Sequence, residues 1–319
     1  MSKYRRSLPQ LGSRLFLTDG GLETTLIFHN GMELPHFASF DLLRTAEGRK
    51  TLRDYFLPYI ETARKAGLGF ILESPTWRAN PEWAAKMGYS RDALAAVNRE
   101  GIDLMAELRF NFETCETPMV ISGNIGPRGD GYVAGAEMTP EAAAEYHDDQ
   151  VRVFAGSEAD MVAAFTMTNV GEALGVVMAA QRHRMPVAIA FTVEIDGRLP
   201  SGATLREAIE TVDAATGAGP AYYMINCAHP THFDGALESG ASWTKRISGV
   251  RANASKRSHA ELDCAPDLDP GDPVELGAQY RNLLRVFPQI RVIGGCCGTD
   301  HRHVAQMCAA CTGEAAVAA

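Results

Sequence analysis

Basic charge is scarce in this chain of 319 residues. Lysine and arginine total 30 against 39 aspartate and glutamate residues, which gives a formal net charge of −9. A protein that binds nucleic acid usually carries a basic surplus or a basic stripe, and none is visible here beyond the short segment KYRR at residues 3–6. The composition therefore predicts no nucleic-acid partner. We interpret KYRR as a solvated tail and assign residues 1–13 to an N-terminal tail.

Long apolar runs are also missing. None approaches the roughly 20 residues that span a membrane, and the N-terminus has no apolar signal-peptide core. The sequence thus predicts no membrane partner and a cytoplasmic location. In that compartment the 7 cysteines, an odd number, are expected to be reduced thiols rather than a disulfide framework. Cysteines that cluster in such a chain favour metal binding or catalysis.

What the sequence does contain is an alternation of short apolar runs with longer helical patterns. Eight runs predict strands, at residues 14–19, 68–73, 118–124, 160–166, 186–194, 221–227, 247–253 and 290–295. Thr139, Thr204 and Asp272 are predicted to cap helices between them. No strand is followed by a G-x-G-x-x-G fingerprint, so an α/β fold of the (β/α)8 TIM-barrel type is favoured over the alternative, an open doubly wound sheet. We predict a single barrel domain over residues 14–312 and a frayed C-terminal tail over residues 313–319.

In a (β/α)8 barrel the chemistry gathers at the C-terminal ends of the strands. The polar and thiol-bearing residues at those ends are Asp19, Glu73, Asn124, Thr166, Glu194, Cys227, Asn253, Cys296 and Cys297. Three cysteines therefore belong to this rim, whereas Cys308 and Cys311 fall on the last predicted helix, which leads away from it.

Cys296 and Cys297 are adjacent within the segment GGCCG. Side chains of consecutive strand residues point to opposite faces, so the chain must turn for both sulfurs to reach one ion, and the flanking glycines allow that turn. With Cys227 they would form a three-sulfur face that leaves one zinc position open for a substrate thiolate. The alternatives are packing or chance, a vicinal disulfide, and a closed zinc site completed by Cys308 and Cys311.

Such a zinc site suggests methyl transfer. Only a thiolate is strongly nucleophilic, and a free thiol has a pKa of about 8.5. Zinc can keep a bound thiol deprotonated at neutral pH. The thiolate could then attack the methyl carbon of a sulfonium or ammonium donor.

The segments LTDGGLETTL, INCAHP and IGGCCGTD resemble signature segments of the homocysteine S-methyltransferase family, and the resemblance runs from about residue 14 to residue 308. It implies a barrel in which Cys227, Cys296 and Cys297 bind Zn²⁺ and the substrate thiol supplies the fourth ligand. It also implies methyl transfer from an onium donor (S-methylmethionine, S-adenosylmethionine or a betaine) to homocysteine, which gives methionine.

The same resemblance implies a substrate pocket built from several strand ends. Asp19, Gly20 and Gly21 would meet the amino-acid end of homocysteine, with backbone N–H groups suited to its carboxylate, and Thr24 would lie close by. The other positions that match the family's pocket segments are Glu73, Thr76, Trp77, Thr166 and Asn253.

One position departs from the family pattern. Members usually end strand four with Glu-Thr, where the glutamate binds the substrate ammonium, but this chain reads Phe165-Thr166. An aromatic ring can hold a cation on its face, although generally more weakly than a carboxylate does. Glu73, Asp19 or Glu194 could substitute for the glutamate, or the acceptor could be a thiol other than homocysteine.

Two other interpretations stay open from the sequence. A separate corrinoid protein could deliver the methyl group, and a non-catalytic zinc- or thiol-binding protein could carry the same cysteines. The expected partners are a small-molecule thiol and a methyl donor, and a homo-oligomer is compatible with the sequence.

Overall fold

Eight parallel strands form one closed barrel in the computed structural model, which describes residues 2–313. The strands pair in chain order, and β8 pairs with β1 to close the barrel. Their bounds are β1 Phe16–Leu17, β2 Gly69–Glu73, β3 Met119–Ile125, β4 Met161–Met167, β5 Val187–Phe191, β6 Tyr222–Asn226, β7 Ile247–Ala252 and β8 Val292–Gly295. No strand extends more than one residue beyond its predicted run, although β1, β5 and β8 are shorter than predicted. The (β/α)8 fold class is confirmed.

Helices connect the strands and cover the outside of the barrel. They are α1 Leu22–Thr24, α2 Ala46–Lys65, α3 Pro81–Lys86, α4 Arg91–Phe112, α5 Pro140–Ala155, α6 Val170–Arg182, α7 Leu205–Thr216, α8 Pro230–Phe233, α9 His259–Asp263, α10 Pro273–Val286 and α11 His301–Thr312. The side chains of Thr139, Thr204 and Asp272 accept backbone N–H groups at the starts of α5, α7 and α10, so these three predicted caps are confirmed.

The connection between β6 and β7 differs from the regular alternation. It contains only the four-residue helix α8 and two short 3₁₀ turns, Asp234–Ala236 and Trp243–Arg246. Pro230 starts α8, and Gly240 adopts a positive φ of 83° shortly afterwards. A residue in that conformation interrupts a helix, so this side of the barrel has no long helix.

The N-terminal segment closes the lower end of the barrel. Leu8 is buried and packs in the interior cluster with Phe16, Ile71 and Met161. The guanidinium of Arg5 donates hydrogen bonds to backbone carbonyl groups at residues 155, 157 and 159. The interpretation of KYRR as a solvated tail is therefore wrong for Tyr4 and Arg5, because both bond to groups on the barrel.

Two further predictions concern membrane-spanning segments and the C-terminal tail. No helix within residues 2–313 is both long enough and apolar enough to cross a membrane. Helix α11 ends at Gly313, which has the left-handed conformation of a C-cap. The rest of the predicted C-terminal tail, residues 314–319, lies outside the described residues.

Candidate active site

A cavity of about 360 Å³ opens at the C-terminal ends of the strands. Strand-end residues form its floor, and loops after β1, β2, β3 and β7 form its walls. Cys227, Cys296 and Cys297 all line it. The cavity therefore lies where a (β/α)8 barrel places its chemistry.

The three predicted zinc ligands converge on one point. Their Sγ atoms all lie within 4.8 Å of one another, and they form the one such cluster of potential metal ligands found among residues 2–313. Cys227 follows β6 directly and adopts a positive φ of 52°. This conformation is unusual for a residue with a side chain. It occurs where β6 ends at the rim of the barrel. The alternative site with Cys308 and Cys311 has no support, because these residues lie on α11 and outside the cluster.

Two of these cysteines form a disulfide. Cys227 and Cys296 are joined by an S–S bond of 2.04 Å, and their Cα atoms lie 5.3 Å apart. This corrects the expectation that all seven cysteines are reduced, and the bond is not the vicinal one considered for Cys296 and Cys297. The pairing follows from the fold, since β6 and β8 both flank β7 and end at the same rim.

The cysteine geometry fits a zinc ion once the disulfide is reduced. Two sulfur ligands at about 2.3 Å from a tetrahedral zinc lie about 3.8 Å apart, and the Sγ atoms of Cys227 and Cys297 are separated by 3.8 Å. Burial raises the pKa of the Cys297 thiol to about 11. This thiol would therefore keep its proton at neutral pH unless a cation bound nearby. The donor set of three cysteines suits a soft metal ion.

Glycines bring the cysteine strand close to its neighbours. A Cβ atom added to Gly295 would lie 1.9 Å from the hydroxyl oxygen of Thr299, and one added to Gly21 would lie 2.7 Å from the carbonyl oxygen of Cys296. Gly298 has a positive φ of 80°. Of the glycines that flank the cysteine pair, only Gly298 adopts the positive φ that glycine favours. Gly295 is required for a different reason, because neighbouring atoms leave no space for a side chain.

Tyr132 is a site residue that the sequence did not reveal. It belongs to the loop between β3 and α5, and its hydroxyl oxygen lies 3.1 Å from Sγ of Cys297 and 3.7 Å from Sγ of Cys227. Its ring stacks on that of His259 at a centroid distance of 4.2 Å. Burial raises the pKa of Tyr132 well above its usual value. The length of this loop was the available signal, because long loops in compact domains are often functional.

Asn253 contacts the backbone of Cys227 directly, and Glu194 is linked to it through His259. The carbonyl oxygen of Cys227 accepts hydrogen bonds from Asn253 Nδ2 at 3.0 Å and from His259 Nε2 at 2.6 Å. The other ring nitrogen of His259 lies 3.0 Å from the carboxylate of Glu194. Neither Asn253 nor Glu194 is among the residues that line the cavity.

Asp19 is buried in an ion pair. Its Oδ1 atom lies 2.8 Å from Nη2 of Arg251, and the hydroxyl of Tyr55 donates to its Oδ2 at 3.0 Å. Burial raises the pKa of the Asp19 carboxyl, and the charge of Arg251 opposes that effect. The same arginine donates to the carbonyl groups of Gly20 and Gly295. It therefore ties the first strand–helix loop to the strand that precedes the adjacent cysteines.

Arg251 also contacts the position at which the chain departs from the family pattern. Its guanidinium carbon lies 5.1 Å from the centroid of the Phe165 ring. Sequence reasoning missed Arg251, although a lone charge inside the apolar run ISGVRAN was a signal for it. A buried charge within a strand needs a buried partner, and Asp19 is that partner.

The remaining predicted pocket residues fall into two groups. Those that line the cavity are Gly20, Gly21, Thr24, Glu73, Trp77, Asn124, Phe165 and Thr166. Thr76 does not line it, because its hydroxyl is buried and donates to the carbonyl of Asn124 at 2.8 Å. Thr24 supports the cysteine segment directly, since its hydroxyl accepts the backbone N–H of Gly298 at 3.2 Å.

Comparison with known proteins identifies the family. Residues 16–311 match the sequence model described as "Homocysteine S-methyltransferase". The chain belongs to the homocysteine S-methyltransferase family. As a member of this family, it is a methyltransferase of class EC 2.1.1.

Curated relatives of this methyltransferase have low sequence identity to it but align over most of the chain. Homocysteine S-methyltransferase 4 of Zea mays is 25% identical over 306 residues, covering 89% of this chain and 85% of the relative. Selenocysteine Se-methyltransferase of Brassica oleracea var. italica is 23% identical over 268 residues, covering 77% of this chain and 74% of the relative.

Solved structures of one bacterial protein share the fold. The oxidized form of the Escherichia coli homocysteine methyltransferase MmuM superposes with a TM-score of 0.76 at 20% identity, covering 96% of this chain and 99% of that one. Its metallated form gives a TM-score of 0.72 at 21% identity, covering 95% and 98%. At this level of identity the likeness concerns the barrel fold.

Proposed function

We propose that this methyltransferase is zinc-dependent and transfers a methyl group from an onium donor to the thiol of homocysteine, giving methionine. The convergence of Cys227, Cys296 and Cys297 at the floor of the cavity is the observation that carries the proposal. Three cysteine ligands leave one position of a tetrahedral zinc site for the substrate. When bound, zinc would supply a Lewis acid that keeps the acceptor thiol deprotonated at neutral pH.

The residues of the chain would position the acceptor beside the cysteines. Gly20, Gly21 and Thr24 lie on the first strand–helix loop and line the cavity. The close approach of Gly21 to the carbonyl group of Cys296 places this loop directly against the cysteine segment. An amino acid whose thiol reaches the cysteines would therefore have its α-amino and α-carboxylate groups near this loop.

The residues of the cavity walls favour the binding of a cationic methyl donor. Asp130, Asp263 and Asp267 line the cavity together with the rings of Phe28 and Phe37. Carboxylates attract a cation through its charge, and aromatic rings attract it through their faces. These groups favour S-methylmethionine, S-adenosylmethionine or a betaine. Delivery of the methyl group by a separate corrinoid protein is the alternative for the donor.

The same chemistry requires reduced cysteines. A disulfide between Cys227 and Cys296 removes two of the three thiolates that would bind zinc. A compartment that keeps thiols reduced, such as the cytoplasm, would therefore favour the zinc-binding state. We accordingly place the working enzyme there.

A methylation assay tests the proposal. The reduced, zinc-loaded protein is incubated with homocysteine and each onium donor in turn, and methionine is measured. We expect turnover with at least one donor. No methylation of any thiol despite bound zinc would overturn the enzymatic proposal and favour a non-catalytic thiol-binding protein.

Metal analysis of two matched variants tests the ligand set. Cys227→Ser is expected to lose most of the bound zinc, whereas Cys308→Ser, which changes a cysteine on α11, is expected to retain it. Loss of zinc from Cys308→Ser alone would show that the rim cysteines are not the ligands.

A second candidate is a methyltransferase for another thiol or a selenol. The replacement of the family glutamate by Phe165, with Arg251 against its ring, is the observation that favours it. The assay panel therefore includes cysteine and selenocysteine as acceptors. A higher kcat/KM for either than for homocysteine would favour this second candidate.

A further inference from the structure

The cavity floor contains several charged residues that could recognise an amino-acid acceptor. Residues two apart on a strand share a face. Glu73 therefore lies on the same face of β2 as Ile71, and Phe165 on the same face of β4 as Ala163. Ile71, Ala163 and Phe165 belong to the cluster that fills the barrel interior. Glu73 and Phe165 consequently both face inward near the open end of the barrel.

Phe165 cannot replace the missing glutamate as a partner for an ammonium group. The guanidinium of Arg251 already lies against its ring, with the guanidinium carbon 5.1 Å from the ring centroid. An ammonium group would therefore have to displace Arg251 from this ring.

The two other carboxylates considered as substitutes for the family glutamate, Asp19 and Glu194, are already engaged. Asp19 is paired with Arg251 and also accepts the hydroxyl hydrogen bond of Tyr55. Glu194 lies 3.0 Å from the ring of His259 and does not line the cavity. Neither is placed to take an ammonium group without giving up an existing partner.

Glu73 differs from both. Its residue is only 4% exposed, yet it lines the cavity. Its Oε2 atom is buried and accepts no hydrogen bond from the described part of the chain. Burial raises the pKa of Glu73 to about 7, against the opposing effects of the Arg251 charge and the nearby Ser122 hydroxyl. A buried carboxylate oxygen without a partner is energetically costly, and a cationic ligand group would relieve that cost.

We propose that Glu73, at the end of β2, binds the ammonium group of the acceptor amino acid. The assignment rests on the proposed function, namely an amino-acid thiol as the methyl acceptor. It makes Glu73 a specificity-determining residue that distinguishes amino acids from simple thiols. Recognition of the acceptor ammonium thus comes from β2 in this chain.

Calorimetric titration with two acceptors tests the assignment. The zinc-loaded, reduced protein is titrated at about pH 8 with homocysteine and with 4-sulfanylbutanoate, which is homocysteine without its ammonium group. Wild type is compared with Glu73→Gln, which keeps the shape and removes the charge. We expect Glu73→Gln to raise the Kd for homocysteine roughly 10- to 100-fold and to leave the Kd for 4-sulfanylbutanoate nearly unchanged.

Two further variants separate the loss of the Glu73 charge from a general change in the cavity. Glu172→Gln removes another glutamate that is 4% exposed, one that lies outside the cavity lining and already accepts the backbone N–H of Arg128 at 2.7 Å, and should retain wild-type affinity for homocysteine. Glu73→Asp keeps the charge on a shorter side chain and should weaken homocysteine binding less than Glu73→Gln does. It also decides the question if Glu73→Gln does not fold, because it should weaken binding of homocysteine but not of 4-sulfanylbutanoate.

The possible results separate the assignment from the proposed function. An unchanged Kd for homocysteine in Glu73→Gln, or an equal loss for both acceptors, would overturn the role of Glu73. Wild-type protein that loads zinc but binds neither acceptor would instead contradict the proposed function itself. Selective loss of homocysteine binding would support both.

Discussion

The hydroxyl oxygen of Tyr132 lies 3.1 Å from the Sγ atom of Cys297. The two residues are 165 positions apart in the chain, and the loop between β3 and α5 brings them together over the cavity floor. Because burial raises the pKa of Tyr132 well above its ordinary value, its phenol keeps a proton that it can donate to a thiolate. Tyr132 is therefore a positioning residue for the cysteine cluster.

Removal of this hydroxyl should weaken zinc binding. We expect Tyr132→Phe to lower zinc affinity roughly 10-fold, as loss of a hydrogen-bonding partner of a metal ligand commonly does. Competition with a chromogenic zinc chelator measures the change. Tyr89→Phe is the matched control, since its hydroxyl bonds to Asp41 instead of a cysteine. Equal zinc affinities for Tyr132→Phe and wild type would show that the hydroxyl does not support the ligands.

Oxidation should release zinc in a reversible way. Formation of the Cys227–Cys296 disulfide consumes two proposed ligands, so we expect oxidised protein to hold almost no zinc and to regain it after treatment with a thiol reductant. Zinc content and free thiols are measured before and after each step. A Cys115→Ser, Cys264→Ser variant, which removes two exposed cysteines, should respond in the same way. Zinc retained by fully oxidised wild type would contradict the ligand assignment.

Close packing at Gly295 predicts that one added methyl group lowers both the stability of the fold and the zinc content. A Cβ atom there would collide with Thr299, whose hydroxyl donates to the carbonyl of Cys296. We expect Gly295→Ala to lower the free energy of unfolding by about 1–3 kcal/mol and to reduce zinc content. Gly235→Ala, at a glycine with open space around it, is the control for urea denaturation. Similar stabilities of the two variants would argue against the close contact.

The pKa of Glu73 predicts a pH-dependent stability difference. Because burial raises it from 4.5 to about 7, the folded state holds a proton more tightly than the unfolded state. The associated stabilisation is fully present below about pH 4.5 and is lost as the pH rises through about 7. The unfolding free energy of wild type relative to Glu73→Gln should therefore fall by about 3 kcal/mol between about pH 4 and pH 8. Urea denaturation across this range measures it, and a difference that does not vary with pH would refute the raised pKa.

The sequence predicted the strands well because each is a short apolar run bounded by turn or cap residues. Cys227 and Cys296 could be placed on a common rim because parallel strands end on the same side of a barrel. By contrast, Tyr132 and His259 lie on loops, and no local pattern in the chain indicates that their rings stack above the cysteines. The segment KYRR was mistaken for a solvated tail because Arg5 finds its partners about 150 residues away, at Ala155.

The sequence by itself determined the barrel class, the family and the three cysteines, because periodicity, caps and short motifs are local properties of the chain. Only the tertiary structure decided how charge is distributed around the substrate. Phe165 could be recognised as a departure from the family pattern, but its consequence depends on Arg251, which reaches it from another strand and also engages Asp19. Within residues 2–313, the buried Oε2 atom of Glu73 is left without a hydrogen-bonding partner. Such pairings depend on distances between strands that lie far apart in the chain, and no stretch of sequence encodes those distances locally.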